Sequence, residues 1–218
     1  MFDTSAPPAK RSGLNWLGAA IAISVFVLSL YVIEGVDAIL SADRPAWQAN
    51  QLDGAGIEPR TVDGLDGIIW APLLHGGWDH LIANTLPLLI LGFLVLLSGV
   101  ARGIAATVII WIVAGVGTWL TGSPGSVHLG ASSLVFGWLT YLICRGWFAR
   151  NVGQIILGVV IFLIYGSMLW GVLPSDPRIS WQGHLFGAVG GVLAGWVLSG
   201  DERRRRRGTS VGRAPTTR

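Results

Sequence analysis

Cysteine, charge and extended polar sequence are all scarce in this chain. Its one cysteine, Cys144, sits inside an apolar run, which excludes a disulfide framework and a cysteine-ligated metal site. Charged residues make up 12% of the 218 positions, about half the usual share for a soluble domain. No segment is left over for a soluble catalytic domain. There is no H-E-x-x-H pair and no cluster of carboxylates beside the histidines. His75 and His80 stand five apart and do not share a helical face well. A metal centre therefore has no support. The G-x-S-x-G elbow of α/β-hydrolases is missing too, because Leu134 follows Ser133. No inverted repeat marks a transporter. The net charge of +3 comes from basic residues in short segments beside apolar runs. That is the pattern of membrane topology signals and gives no reason to expect a nucleic-acid partner.

What the chain has in quantity is apolar sequence, at 52% of residues, and glycine, at 31 positions. Together they predict an all-α membrane protein with closely packed helices. Six runs have the length of spans: 14–33, 79–99, 103–121, 131–148, 152–173 and 182–199. The first is as long as a spanning helix needs and no convincing cleavage site follows it, so it reads as a span in preference to a signal peptide. Residues 41–78 carry seven charges with Pro45, Pro59 and several glycines. They form a long first extracytoplasmic loop, with short interfacial helices expected around Ala46–Leu52 and Leu65–Leu74. The organisation is a cytoplasmic tail at 1–13, a six-helix membrane domain at 14–199 and a basic cytoplasmic tail at 200–218.

Six spans place both termini on one side. Twelve of the fifteen Lys and Arg residues fall on that side, and only Arg44, Arg60 and Arg178 on the other, so the termini are expected in the cytoplasm. The run Arg203–Arg207 reads as a stop-transfer signal and lipid-headgroup anchor. Trp78, Trp119, Trp170 and Trp181 near the outer ends, and Trp16, Trp147 and Trp196 near the inner ends, fit two aromatic belts. Short tails without a targeting signal point to a bacterial plasma membrane.

The second, fourth and sixth spans all start at the outer face, and each starts with unusual polar residues. His80 and Asn84 open the second, Ser132 the fourth and His184 the sixth. By helix rise all four lie within about 10 Å of the outer interface. His80 and Asn84, four apart, share one helix face. Polar groups inside spans are costly unless paired or hydrated, which makes them functional candidates. Each also has a structural reading: Ser132 as a helix cap, Asn84 as an interhelical hydrogen bond, His184 as a packing histidine. Taken together they suit nucleophilic catalysis. A hydroxyl at a helix start has free backbone N–H groups beside it, and His184 can serve as its base. His80, Asn84 and the Ser132 N–H can stabilise an oxyanion. No carboxylate is well placed to orient His184, since Asp79 points to another face and Glu34 and Asp37 lie near the outer end of the first span. A Ser–His dyad is expected, without a third carboxylate member.

Three motifs, His75-x4-His80-x3-Asn84, Gly130-x-Ser132 and Gly183-His184-x2-Gly187-x3-Gly191, taken in this order on these spans, resemble those of the rhomboid intramembrane serine proteases. The resemblance covers about residues 14–199. It implies a six-helix rhomboid-like core that cleaves transmembrane protein substrates at or near the outer interface, without a cofactor, among membrane lipids. It also implies Ser132 as nucleophile, His184 as general base, and His80 and Asn84 with the Ser132 N–H as oxyanion hole. Gly130 and Phe136 support the site, Phe136 as the aromatic beside the base. Gly187 and Gly191 are the small residues that let the sixth span approach the fourth. Leu173–Trp181 and the fifth span look like the family's cap and lateral gate. One position departs from the usual Gly-x-Ser-Gly pattern: Ser133 stands where the last glycine is expected. That leaves Ser133 as an alternative reactive hydroxyl, and an inactive rhomboid-like protein that binds membrane segments as the alternative function.

Overall fold

The computed structural model describes residues 14–43, 51–174, 176 and 179–200. The expected tails, apart from Gly200, and most of the expected interfacial helix Ala46–Leu52 lie outside the described residues. Among the described residues every regular element is helical. The α-helices are α1 (Leu14–Leu40), α2 (Gly67–Trp70), α3 (Trp78–Leu97), α4 (Val100–Thr121), α5 (Ser132–Ala149), α6 (Val152–Tyr165) and α7 (Trp181–Leu198). Short 3-10 helices occupy Leu52–Ala55, Ala71–Leu73 and Gly166–Val172.

Four stretches are long and apolar enough to cross a membrane: Trp16–Leu40, Trp78–Leu97, Val100–Thr121 and Val152–Val172. α5 and α7 are less apolar for a packing reason. α5 runs through the middle of the bundle, packed against α3, α4, α6 and α7, and most of its residues are buried. A helix covered by protein can carry Ser133, Thr140 and Arg145, because these side chains do not face lipid. α7 is built on glycine. A Cβ at Gly187 would collide with the Ser133 carbonyl, and one at Gly191 with the Gly137 carbonyl and Thr140 Oγ1. With no Cβ in the way, the two backbones meet directly. The Thr140 hydroxyl then donates across the seam to the Ala188 carbonyl at 2.8 Å.

Several boundaries differ from those expected. α1 continues seven residues past Ile33. Glu34 and Asp37, expected near the outer end of the first span, lie in this extension, turn inward and are buried, and Asp37 Oδ1 accepts the Leu52 N–H at 2.8 Å. α5, Ser132–Ala149, keeps the expected run 131–148 within one residue and carries Arg145 inside it. Arg145 is buried with its guanidinium 5.6 Å from the Tyr141 ring centroid. The interfacial helix expected at Leu65–Leu74 is split into α2 and the 3-10 turn Ala71–Leu73, where Pro72 sits and supplies no N–H to continue the ladder. The apolar stretch Val152–Val172 changes from α to 3-10 geometry at Gly166.

Side-chain and backbone hydrogen bonds tie the first loop to the bundle. Trp111 Nε1–H donates to Ile68 O at 2.8 Å and Trp119 Nε1–H to Thr61 O at 2.9 Å. Ile57 and His128 exchange both backbone bonds, at 2.8 and 2.9 Å. The last of these joins the loop to the connector that leads into Ser132.

Candidate active site

Ser132 is the first residue of α5. The chain reaches it through Gly130, whose φ of +117° suits a residue without a Cβ. The first loop holds this entry from behind: Gly130 N–H donates to Ala71 O at 2.8 Å and Ala131 N–H to His75 Nε2 at 3.5 Å. The N–H groups of Ser132 and Ser133 find no protein acceptor among the described residues, as expected for a first helical turn. They stand as free donors beside the hydroxyl.

His184 lies in the first turn of α7 and is buried. Its Nε2 is 2.9 Å from Ser132 Oγ, and its Nδ1 is 2.9 Å from the Gly171 carbonyl oxygen. A carbonyl can only accept, so Nδ1 carries the proton and Nε2 of the neutral ring is left to accept from the Ser132 hydroxyl. The imidazole stacks on Phe136, with ring centroids 4.1 Å apart and planes 9° from parallel. Phe136 is one turn after Ser132 on α5, so one helix supplies both the hydroxyl and the platform for its partner.

His80 packs against Gly130. A Cβ at Gly130 would stand 2.6 Å from His80 Cε1 and 2.9 Å from His80 Nε2, and 3.7 Å from Ser132 Oγ. The His80 ring therefore borders the same small space as the hydroxyl. Asn84 is buried, and its amide donates to the His80 carbonyl one turn earlier at 3.1 Å. Among the described residues its side chain makes no hydrogen bond to Ser132 or His184. Asp79 is exposed. The His75 and His80 rings meet edge to face at 5.2 Å. His75 precedes α3, and burial, with the neighbouring His80 as a lesser cause, pushes its imidazole from 6.5 down to about 3. His75 is thus neutral, as an acceptor for Ala131 N–H must be.

Ser133, at the position that departs from the expected glycine, is buried. It lines a cavity of about 20 Å³ together with Thr118, His128, Ser132, Ser180 and Gly183, a space for about one water molecule.

Three contributors to this arrangement were not foreseen. Gly171 supplies a backbone carbonyl where a triad would place a carboxylate. A main-chain oxygen carries no signature in the sequence. His128 and Ser180 stand four residues before Ser132 and His184 and are bonded to each other. Their only signal was that shared spacing.

A rhomboid domain matches residues 64–201. The chain is 46% identical over 200 residues to the uncharacterized protein Rv1337 of Mycobacterium tuberculosis, covering 88% of this chain and 80% of that one. It is 42% identical over 201 residues to the uncharacterized protein ML1171 of Mycobacterium leprae, covering 88% and 76%. It is also 30% identical over 135 residues to a Bacillus subtilis protein named "Putative rhomboid protease YdcA", covering 61% and 67%. The chain belongs to the rhomboid family.

Proposed function

We propose that this protein is an intramembrane serine endopeptidase that cleaves transmembrane protein substrates near the outer face of a bacterial plasma membrane. Six spans, with α5 and α7 added to the four strongly apolar stretches, leave both termini in the cytoplasm. The observation that carries the reading is the relay from Gly171 O through the His184 ring to Ser132 Oγ, with both contacts at 2.9 Å. It sits at a helix start where backbone donors are free.

In this reading Ser132 Oγ attacks the scissile carbonyl and His184 Nε2 takes the hydroxyl proton. The Gly171 carbonyl holds the imidazole in the competent tautomer and stabilises the imidazolium, as the carboxylate does in a triad. The oxyanion forms beside the Ser132 N–H, with His80 and the remaining amide hydrogen of Asn84 as further donors. His184 then protonates the leaving amine, and water hydrolyses the ester after activation by the same nitrogen. A helical substrate hides its carbonyls in its own hydrogen bonds, so segments with weak helix formers at this depth are preferred. No cofactor enters any step.

The test is fluorophosphonate labelling of the full chain in detergent. Label on wild type and Ser133→Ala, but not on Ser132→Ala or His184→Ala, supports the reading. Loss only in Ser133→Ala would move the nucleophile by one residue. No label on wild type, where a known rhomboid protease is labelled, would favour a protein that binds membrane segments without cutting them.

A further inference from the structure

The Ser132–His184 contact is not the only bond between the segments that carry it. His128 Nδ1 lies 2.7 Å from Ser180 Oγ, and these two residues are 52 positions apart, as are Ser132 and His184. Since His128 is four residues before Ser132 and Ser180 four before His184, the contacts are successive rungs between the same two stretches of chain.

Proton counting gives the second rung a direction. Ser126 Oγ donates its single proton to Ser123 O at 2.6 Å. It must therefore accept from His128 Nε2, 2.9 Å away. With Nε2 protonated, neutral His128 presents Nδ1 as an acceptor, and the Ser180 hydroxyl donates to it. Ser180 Oγ in turn accepts the Gly183 N–H at 3.3 Å, and Ser180 O accepts the His184 N–H at 3.1 Å. Ser180 is thus the N-cap of α7, and His128 decides which way its hydroxyl points. His128 is itself anchored through the backbone pair with Ile57 in the first loop, independently of α5.

We propose that His128 is a positioning residue. Through Ser180 it holds the first turn of α7 in register with the entry to α5, and so keeps His184 Nε2 on Ser132 Oγ. Its kinetic consequence rests on the protease reading, whereas its geometric consequence does not.

Two substitutions separate hydrogen bonding from packing. Asn at 128 sets an amide oxygen near the Nδ1 position and keeps the acceptor for Ser180. Gln sets its amide near Nε2 and loses that acceptor. The full chain, labelled with ¹⁵N-histidine in nanodiscs, is read by imidazole nitrogen spectra for His184 and by fluorophosphonate kinetics for the maximal inactivation rate and the probe's KI. In His128→Gln and Ser180→Ala, the His184 Nε2 resonance is expected to move toward that of a free acceptor. The inactivation rate should fall about tenfold to a hundredfold, the scale of a misplaced reacting group, with KI unchanged. His128→Asn should resemble wild type in both readouts.

An unchanged His184 spectrum in Ser180→Ala and His128→Gln overturns the proposal, and wild-type labelling would leave the protease reading intact. Equal losses in the Asn and Gln variants also overturn it, making His128 a packing residue. If wild type takes no label but the His184 resonance still moves in Ser180→Ala and His128→Gln, and not in His128→Asn, the protease reading falls and the positioning role stands.

Discussion

The carbonyl oxygen of Gly171 lies 2.9 Å from Nδ1 of His184. It comes from the 3-10 turn Gly166–Val172 that continues α6, so the element that ends α6 also orients the imidazole. A Cβ at Gly171 would stand 2.8 Å from Phe136 Cζ and 3.3 Å from His184 Nδ1. Gly171→Ala should therefore push the turn off the stacked pair, lengthen the Nδ1 contact and slow phosphonate labelling about tenfold or more. A labelling rate equal to wild type would show that the carbonyl is dispensable.

Gly130→Ala meets two obstacles. The backbone φ of +117° is unfavourable for a residue with a Cβ, by about 1–2 kcal/mol. The new methyl would also press on His80 at 2.6 Å. Labelling should be lost while the variant still elutes as a folded, monodisperse species. Retained labelling would mean that His80 has room to move and does not need this seat.

Ser133 borders a cavity large enough for about one water and makes no side-chain hydrogen bond among the described residues. Ser133→Gly should leave the labelling rate within about threefold of wild type, a difference of well under 1 kcal/mol. A large gain on Ser133→Gly would identify the extra hydroxymethyl group as an obstruction at the site.

The α5–α7 seam admits no side chain at Gly191, where a Cβ would strike the Gly137 carbonyl and Thr140 Oγ1. Gly191→Leu is expected to destabilise the fold by about 1–3 kcal/mol or more, seen as a lower unfolding temperature in detergent. Gly54→Ala, where no atom lies within 4 Å of the new Cβ, serves as the control. Equal unfolding temperatures for the two variants would show that the seam can open.

His75 gives stability a pH dependence. Its imidazole is held near 3 against an ordinary 6.5, so between those values the unfolded chain takes up a proton that the native protein refuses. Stability is complete above 6.5 and declines as pH falls toward 3, by at most about 1.4 kcal/mol per pH unit. His75→Gln retains an acceptor for Ala131 N–H and does not titrate. Its unfolding temperature should fall less steeply between pH 6.5 and 4 than that of wild type. Parallel slopes would place the dependence elsewhere.

Much of the architecture was legible because lipid-facing helices must be apolar over a set length. The runs at 79–99 and 103–121 match α3 and α4 within three residues at each end. The end of α1 was hidden because the apolar run stops at Ile33, while the helix continues through the buried carboxylates Glu34 and Asp37, the latter held by the Leu52 N–H. Arg145 fell inside the expected run 131–148, but its burial depended on α5 being enclosed by its neighbours.

The apolar runs that became the long helices, the small residues of the α5–α7 seam and the polar residues at the starts of α3, α5 and α7 were all readable along the chain. These are local matters of hydropathy, side-chain size and spacing along one helix. Helix packing brings Ser132 and His184, 52 residues apart, to 2.9 Å from each other, places the Gly171 carbonyl on His184 and bonds His128 to Ser180. Each of these depends on the relative height and rotation of separate helices. Those are set by backbone contact across α5 and α7 and by main-chain oxygens, neither of which leaves a periodic trace in the chain.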